Sequence, residues 1–178
     1  MTDSLSRFPH ITRSWRAISS SARALGCDGF DGESLTAGMI ASTIADIPGA
    51  SAVLRGGAVT YCDEIKHRVL GVEQETLDRY TAVSHQTARE MASGSLELYQ
   101  SDIAVSVTGY AGPGGGTEDD PAGTFYIGWA HRSADGECRS WTLCAATMRA
   151  TVRVFVPMRS RRHWGALPCA QLYGIDVF

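Results

Sequence analysis

The sequence predicts an α/β domain: one three-layer α/β/α unit with a mixed sheet, running over residues 1–178. Three observations predict it. A β-rich stretch marks a strand at 52–62, and apolar alternation marks one at 102–109 through Ile103, Val105 and Val107. Segments with helical spacing or helix caps lie between them. A hairpin pattern then follows, Gly123 to His131 and Glu137 to Leu143, joined through Ala134-Asp135-Gly136. Strands alternating with helices build parallel pairs, and a closing hairpin adds antiparallel ones. A chain of 178 residues suits one such domain.

The elements follow in order. Ile11, Trp15, Ile18, Ala22 and Leu25 recur three or four apart, which predicts a helix over 11–25. Asp28 to Gly32 reads as loop. Leu35 to Ile47 reads as a helix of small residues that Pro48-Gly49 stops. Within 52–62, Gly56-Gly57 marks a bulge or a close approach of backbone. Asp63 to Leu70 and Glu73 to Tyr80 are short helices, and Ser84 is an N-cap for a longer helix ending near Tyr99. Ala111 to Ala122 is a loop of glycine, proline and acids.

Bulk properties exclude several function classes. Net charge is -3, and the longest basic run is Arg159 to His163, so no dense basic face for nucleic acid is expected. No apolar run is long enough to span a membrane, and residues 1–25 lack the continuous apolar core of a signal peptide. The cysteines, Cys27, Cys62, Cys138, Cys144 and Cys169, are odd in number and form no Cys-x-x-Cys pair. A reduced, cytoplasmic setting is expected. The histidines have no ligand spacing with them, so neither metal nor other cofactor is expected. Homo-oligomerisation stays open.

Three short stretches carry candidate chemistry. Ser34 lies at a loop-to-helix junction, where N–H groups of a first helical turn could hold an oxyanion or a phosphate. From spacing alone the plain N-cap, the commoner role of such a serine, is the favoured reading. Lys66 follows Tyr61 by five residues and could serve as a base if burial lowers its pKa. Set in the charged run Asp63 to Arg68, it also reads as a solvated side chain. Ala111 to Gly116 could wrap a phosphate with backbone N–H groups or be a simple connection; no Lys-Ser or Lys-Thr closes it as in a P-loop. Asp119-Asp120 reads as a solvated loop tip.

Taken in order, these stretches resemble the C-terminal domain of the competence/damage-inducible protein CinA, also found alone as nicotinamide-nucleotide amidase. The family pattern is Ala-Glu-Ser-Cys-Thr-Gly-Gly, then Thr-Tyr-Ser-Asn-Glu-x-Lys, then Gly-Ala-Val-Ser, then Thr-Gly-x-Ala-Gly-Pro-x-Gly-Gly. Here the matching segments are Gly32 to Gly38, Thr60 to Lys66, Thr81 to Ser84 and Thr108 to Gly116. The linking phrases Asp46 to Ser51 and Leu70 to Val72 fit as well, and the likeness covers about 33–130. The resemblance implies hydrolysis of the carboxamide of nicotinamide mononucleotide, a small-molecule nucleotide, to nicotinate mononucleotide and ammonia. It implies Ser34 as nucleophile, Lys66 as its base and Tyr61 as a supporting hydroxyl. Thr36, Gly38, Thr108, Gly109, Gly112, Gly114, Gly115 and Gly116 would line the substrate site. The alternative is an inactive relative that binds a nucleotide or a protein.

The chain departs from the pattern in places. Cys27 to Gly32 is a poor strand where the family leads into its nucleophile with an apolar one. Leu35 and Ala37 replace Cys and Gly, and Ala37 is strained if it must take φ > 0. From Thr147 to Phe178 no periodicity survives, and the family's C-terminal Arg has only Arg149 and Arg153 as candidate counterparts. The abrupt loss near Cys144 suggests a hypothesis, a change of reading frame. One G/C-rich back-translation of Ala145 onward, shifted by two nucleotides, reads Gly-Asp-His-Ala-Arg-Asp-Arg-Ala-Arg-Val-Arg-Ala-Asp-Ala, which resembles the family's turn and helix start. Resequencing the gene across this point is expected to show the alternative frame; one intact frame with no such reading open would sink the idea.

Overall fold

Three parallel strands and an antiparallel hairpin share one sheet. The computed structural model of the protein describes residues 28–133 and 136–145. The elements are β1 (Gly29–Glu33), α1 (Met39–Ala45), β2 (Leu54–Val59), α2 (Asp63–Leu70), α3 (Gln74–Tyr80), α4 (His85–Tyr99), β3 (Ile103–Gly109), β4 (Phe125–Arg132) and β5 (Cys138–Ala145). Strand order is β2-β1-β3-β4-β5, with β1 parallel to both β2 and β3, and with β4 antiparallel to β3 and β5. This is the mixed α/β sheet the sequence predicts. The expected helix over 11–25 and the segment from Thr147 onward lie outside the described residues.

One expectation is corrected at once. The stretch read as loop, Asp28 to Gly32, supplies most of β1, the innermost of the parallel strands. Propensity is overridden because the segment is paired on both edges, to β2 and to β3. Its entry is fastened by Asp28 and Asp102, each carboxylate accepting from the other's backbone N–H at 3.0 and 3.2 Å, and by an Arg55–Asp28 ion pair at 2.5 Å. The register between β1 and β2 steps from Gly29↔Leu54 to Phe30↔Gly56, which puts the irregularity at Arg55, one residue before the glycine pair expected to bulge; Gly56 and Gly57 themselves are paired in register.

Helices cover both faces of the sheet. On one face Ile40 of α1 and Ile47 pack with Val105, Val107, Phe125 and Ile127. On the other, α4 lays Ala92 and Leu96 on Ala104 and Ala130, and Met91 joins Leu70, Val72 and Leu77. Full burial of a side chain such as Leu96 or Val107 is worth about 1.5–3 kcal/mol. The α4 N-cap is Ser84, as its sequence position predicts: its hydroxyl accepts from the Thr87 N–H at 3.2 Å.

The approach of α4 is close enough to require glycine. A methyl at Gly94 would overlap the carbonyl of Leu70 at the end of α2, and one at Gly128 would overlap the carbonyl of Ala88. Gly94→Ala is therefore expected to destabilise the fold by about 1–3 kcal/mol, the usual cost of overpacking, since backbone cannot swing aside. Urea unfolding measures this; an unchanged midpoint would contradict the packing described.

Candidate functional site

The loop-facing ends of β1, β2 and β3 converge. The β1 to β2 connection runs through α1 on one face, and the β2 to β3 connection runs through α2, α3 and α4 on the other. The two crossovers thus part around β1, and ligands in open α/β sheets bind beyond the carboxyl ends of strands at such a switch point. Ser34 follows β1 directly. Its N–H bonds the Val107 carbonyl at 3.0 Å, and the Thr60 N–H bonds the Glu33 carbonyl at 2.7 Å. Ser34 is thereby held between the end of β2 and the end of β3.

Ser34 is no helix cap. α1 begins at Met39 rather than Leu35, and Ser34 to Gly38 form a turn between strand and helix. Within it Ala37 takes φ 49°, the left-handed conformation its place in the motif foreshadows, and Gly38 takes φ 96°. For Ala37 that conformation costs on the order of 1 kcal/mol. The capping role falls to Glu33. Fully buried, its carboxylate accepts from the N–H of Gly38 at 3.1 Å and of Ala41 at 3.0 Å. The helix N–H groups expected to serve an oxyanion are in this way already committed. Leu35 and Thr36 follow Ser34 directly, and their N–H groups make no hydrogen bond to any described residue.

Beside Glu33 lies a second buried carboxyl, Asp31, 1% exposed. As two carboxylates the side chains have no hydrogen bond to exchange, and Asp31 has no partner. Protonation would give Asp31 a donor to offer the neighbouring Glu33 carboxylate. Burial first, then the neighbouring Glu33, pushes the Asp31 carboxyl up to about 9. Burial also works against ionised Glu33, but the neighbouring Asp31 carboxyl, the nearby Thr36 hydroxyl and backbone N–H groups outweigh it and hold Glu33 below its ordinary value. The buried Thr36 hydroxyl leans on that carboxylate without reaching a well-formed hydrogen bond. Sequence reasoning gave Asp31 no role; a carboxyl two residues before another on a central strand was the available signal.

Lys66 is buried, not solvated: its side chain is 2% exposed despite the charged run around it. Residue 66 lies on the inward face of α2, and its Nζ donates to the Tyr61 carbonyl at 3.2 Å and to Asp63 Oδ1 at 3.4 Å. Burial lowers its pKa, and the Asp63 carboxylate offsets part of that effect. An ammonium has three donors, so one stays uncommitted among the described residues. Tyr61 contributes its backbone; the residue is 67% exposed. Ser34 is 7% exposed, and its hydroxyl makes no hydrogen bond to a described residue, Lys66 included.

The remaining predicted positions divide in use. The Thr108 hydroxyl donates to the Ala82 carbonyl at 2.7 Å and so ties β3 to the loop before α4. Gly109 sits against Phe125, where a side chain would not fit. Residues 111–119 are exposed, with Gly112, Gly115 and Gly116 at positive φ. Their loop is anchored by Tyr110–Thr124 and Gly123–Tyr110 backbone bonds. The expected solvated tip is partly tied down: Asp120 accepts the Tyr126 hydroxyl at 2.7 Å. Among the described residues no group of three or more His, Cys, Asp or Glu is placed to hold a metal ion, and no helix is long and apolar enough to cross a membrane.

Comparison with known proteins decides the family, since the model of the CinA C-terminal domain matches residues 31–155. The chain belongs to the CinA C-terminal domain family. It is 45% identical over 128 residues to a CinA-like protein of Akkermansia muciniphila, covering 72% of this chain and 30% of that relative. To a putative competence-damage inducible protein of Halothermothrix orenii it is 47% identical over 111 residues, 62% of this chain and 26% of the relative. The chain thus spans less than a third of the length of these relatives. Among solved structures, the competence damage-inducible protein A of Klebsiella pneumoniae aligns with TM-score 0.70 and 36% identity, over 80% of this chain and 86% of that one. A competence/damage inducible protein of Agrobacterium tumefaciens aligns with TM-score 0.70 and 37% identity, with the same coverage.

In this CinA-family domain the buried carboxyl pair has a measurable consequence. Unfolded Asp31 releases its proton near 3.8, whereas folded Asp31 keeps it to about 9. Between these values the folded state binds the extra proton, so stability falls as pH rises, by about 1.4 kcal/mol per unit. Asp31→Asn supplies the donor without the proton. At pH 8 it is expected to be more stable than wild type, with a flatter dependence on pH. Thermal melts from pH 5 to pH 9 check this; a destabilised variant with the wild-type slope would contradict it.

Proposed function

We propose that the protein is an amidohydrolase that cleaves the carboxamide of nicotinamide mononucleotide to nicotinate mononucleotide and ammonia. The observation that carries this reading is the burial of Lys66, whose Nζ bonds the Tyr61 carbonyl, one residue after the Thr60 N–H that bonds the Glu33 carbonyl. A lysine with its pKa lowered by burial is more often the neutral base at a given pH than a solvated one. In the proposed reaction neutral Lys66 takes the Ser34 proton as Oγ attacks the carboxamide carbon. The N–H groups of Leu35 and Thr36 face the developing oxyanion. Lys66 then returns the proton to the departing nitrogen, releasing ammonia, and water hydrolyses the acyl-serine by the same route in reverse. Backbone N–H groups of the exposed loop Ala111 to Gly116 would take the substrate phosphate. The exposed Tyr61 ring is left to contact substrate rather than to relay the Ser34 proton.

A second reading, an inactive relative that binds a nucleotide or a protein, is favoured by one observation: Ser34 Oγ and Lys66 Nζ are not hydrogen-bonded to each other. Ammonia release separates the two. Under the first reading purified protein releases ammonia from nicotinamide mononucleotide, Ser34→Ala lowers kcat by about 10³-fold or more, and Lys66→Gln by about 10²–10⁴-fold. Because only neutral Lys66 accepts a proton, kcat should rise with pH, with a midpoint below the ordinary lysine value of 10.5. Nucleotide binding without ammonia release would establish the second reading instead.

A further inference from the structure

The turn that carries Ser34 closes on a single side chain. Glu33 precedes the turn, and its carboxylate accepts from Gly38 and Ala41 beyond it, so the segment folds back around one buried group. Asp31 points to the same face of β1, two residues earlier. Gly57, its register partner in β2, makes the room: a methyl there would come within 2.6 Å of Asp31 Oδ1 and 2.8 Å of Ala41 Cβ. Asp31 therefore occupies a slot between β2 and α1 where, as a carboxylate, it makes no well-formed hydrogen bond; the nearby Ala41 N–H, already bonded to Glu33, offsets its burial only in part.

We propose that Asp31 and Glu33 act as a pair that positions the Ser34 turn: Asp31 donates its proton to Glu33, Glu33 grips Gly38 and Ala41, and loss of that proton loosens the grip. The proposal rests on Ser34 being the nucleophile of the reaction above. Glu33 is a positioning residue, because it acts on the turn and not on substrate.

The surroundings supply no counter-charge for a second anion. α1 and β3 carry no titratable side chain. β2 carries only Arg55, which is half-exposed and paired with Asp28. From α4 the Tyr99 phenol is within electrostatic reach of Asp31, and both its own burial and that carboxyl raise its pKa. The Lys66 ammonium is paired with Asp63. When Asp31 ionises, two like charges share the slot, and the pair relaxes by moving a carboxylate towards water. Glu33 can move only by giving up its two N–H partners. The pair titrates as a unit, so activity falls on the alkaline side even as neutral Lys66 accumulates.

The test reads the turn directly. Protection of the Gly38 and Ala41 amides against hydrogen exchange, corrected for intrinsic rates, is measured at about pH 7 and about pH 10 in wild type, Asp31→Asn and Glu33→Gln, with ammonia release followed on the same samples. Wild type is expected to lose protection at these amides about tenfold or more between the two conditions. Asp31→Asn should keep it and lack the alkaline fall in kcat, and Glu33→Gln should lack it at both. Equal protection in wild type at both pH values, or equal loss in Asp31→Asn, overturns the proposal, whether or not Glu33→Gln folds. If the amides behave as stated and no ammonia is released, the pair stands and the amidase reading fails.

Discussion

Glu33 accepts two backbone hydrogen bonds from the start of α1, and the candidate site depends on them. The carboxylate sits at the end of the innermost parallel strand, 0% exposed, where an ion without donors would cost several kcal/mol. Its satisfaction by Gly38 and Ala41 folds the chain from Ser34 to Gly38 into a tight turn. Ala37 accepts a left-handed backbone as part of that turn. Ser34 is carried to the switch point of the sheet, and the N–H groups of Leu35 and Thr36 stay uncommitted beside it. Strand pairing, helix capping and presentation of the nucleophile are thus one arrangement seen from three sides.

Lys66 is the second constraint. A buried amine is tolerated only where acceptors reach it, and here the Tyr61 carbonyl and Asp63 do so. Tyr61 follows Thr60, whose N–H is bonded to the Glu33 carbonyl. The two halves of the proposed dyad are therefore tied to neighbouring backbone atoms. Desolvation of Lys66 shifts it towards the neutral base, while Asp63, 59% exposed, limits that shift.

Much of the fold was legible in the sequence because its signals were local. Ser84 has the hydroxyl that caps α4, β3 has its apolar alternation, and α2 and α3 lie where their turns and caps put them. β1 was not legible: apart from Phe30 its residues, Gly-Phe-Asp-Gly-Glu, are poor strand formers, and they are extended by two neighbouring strands distant in sequence. Ser34, Lys66 and the glycine loop were found as motifs, but not their surroundings. Lys66 in a charged run looked solvated because the run says nothing about which face of α2 turns inward. Asp31 looked like part of a loop, since only the slot opened by Gly57 makes it a buried partner of Glu33. Ser34 looked like a cap because the residue that does the capping lies one position earlier.

The account stands most directly on whether Ser34 becomes acylated. Wild-type protein mixed with nicotinamide mononucleotide, quenched in acid within milliseconds to seconds and analysed by peptide mass spectrometry, should carry the nicotinoyl mononucleotide group as an ester on the peptide containing Ser34. The adduct should be absent from Ser34→Ala and strongly reduced in Lys66→Gln. Ammonia release at full rate from Ser34→Ala, or an adduct on another residue, would contradict the account.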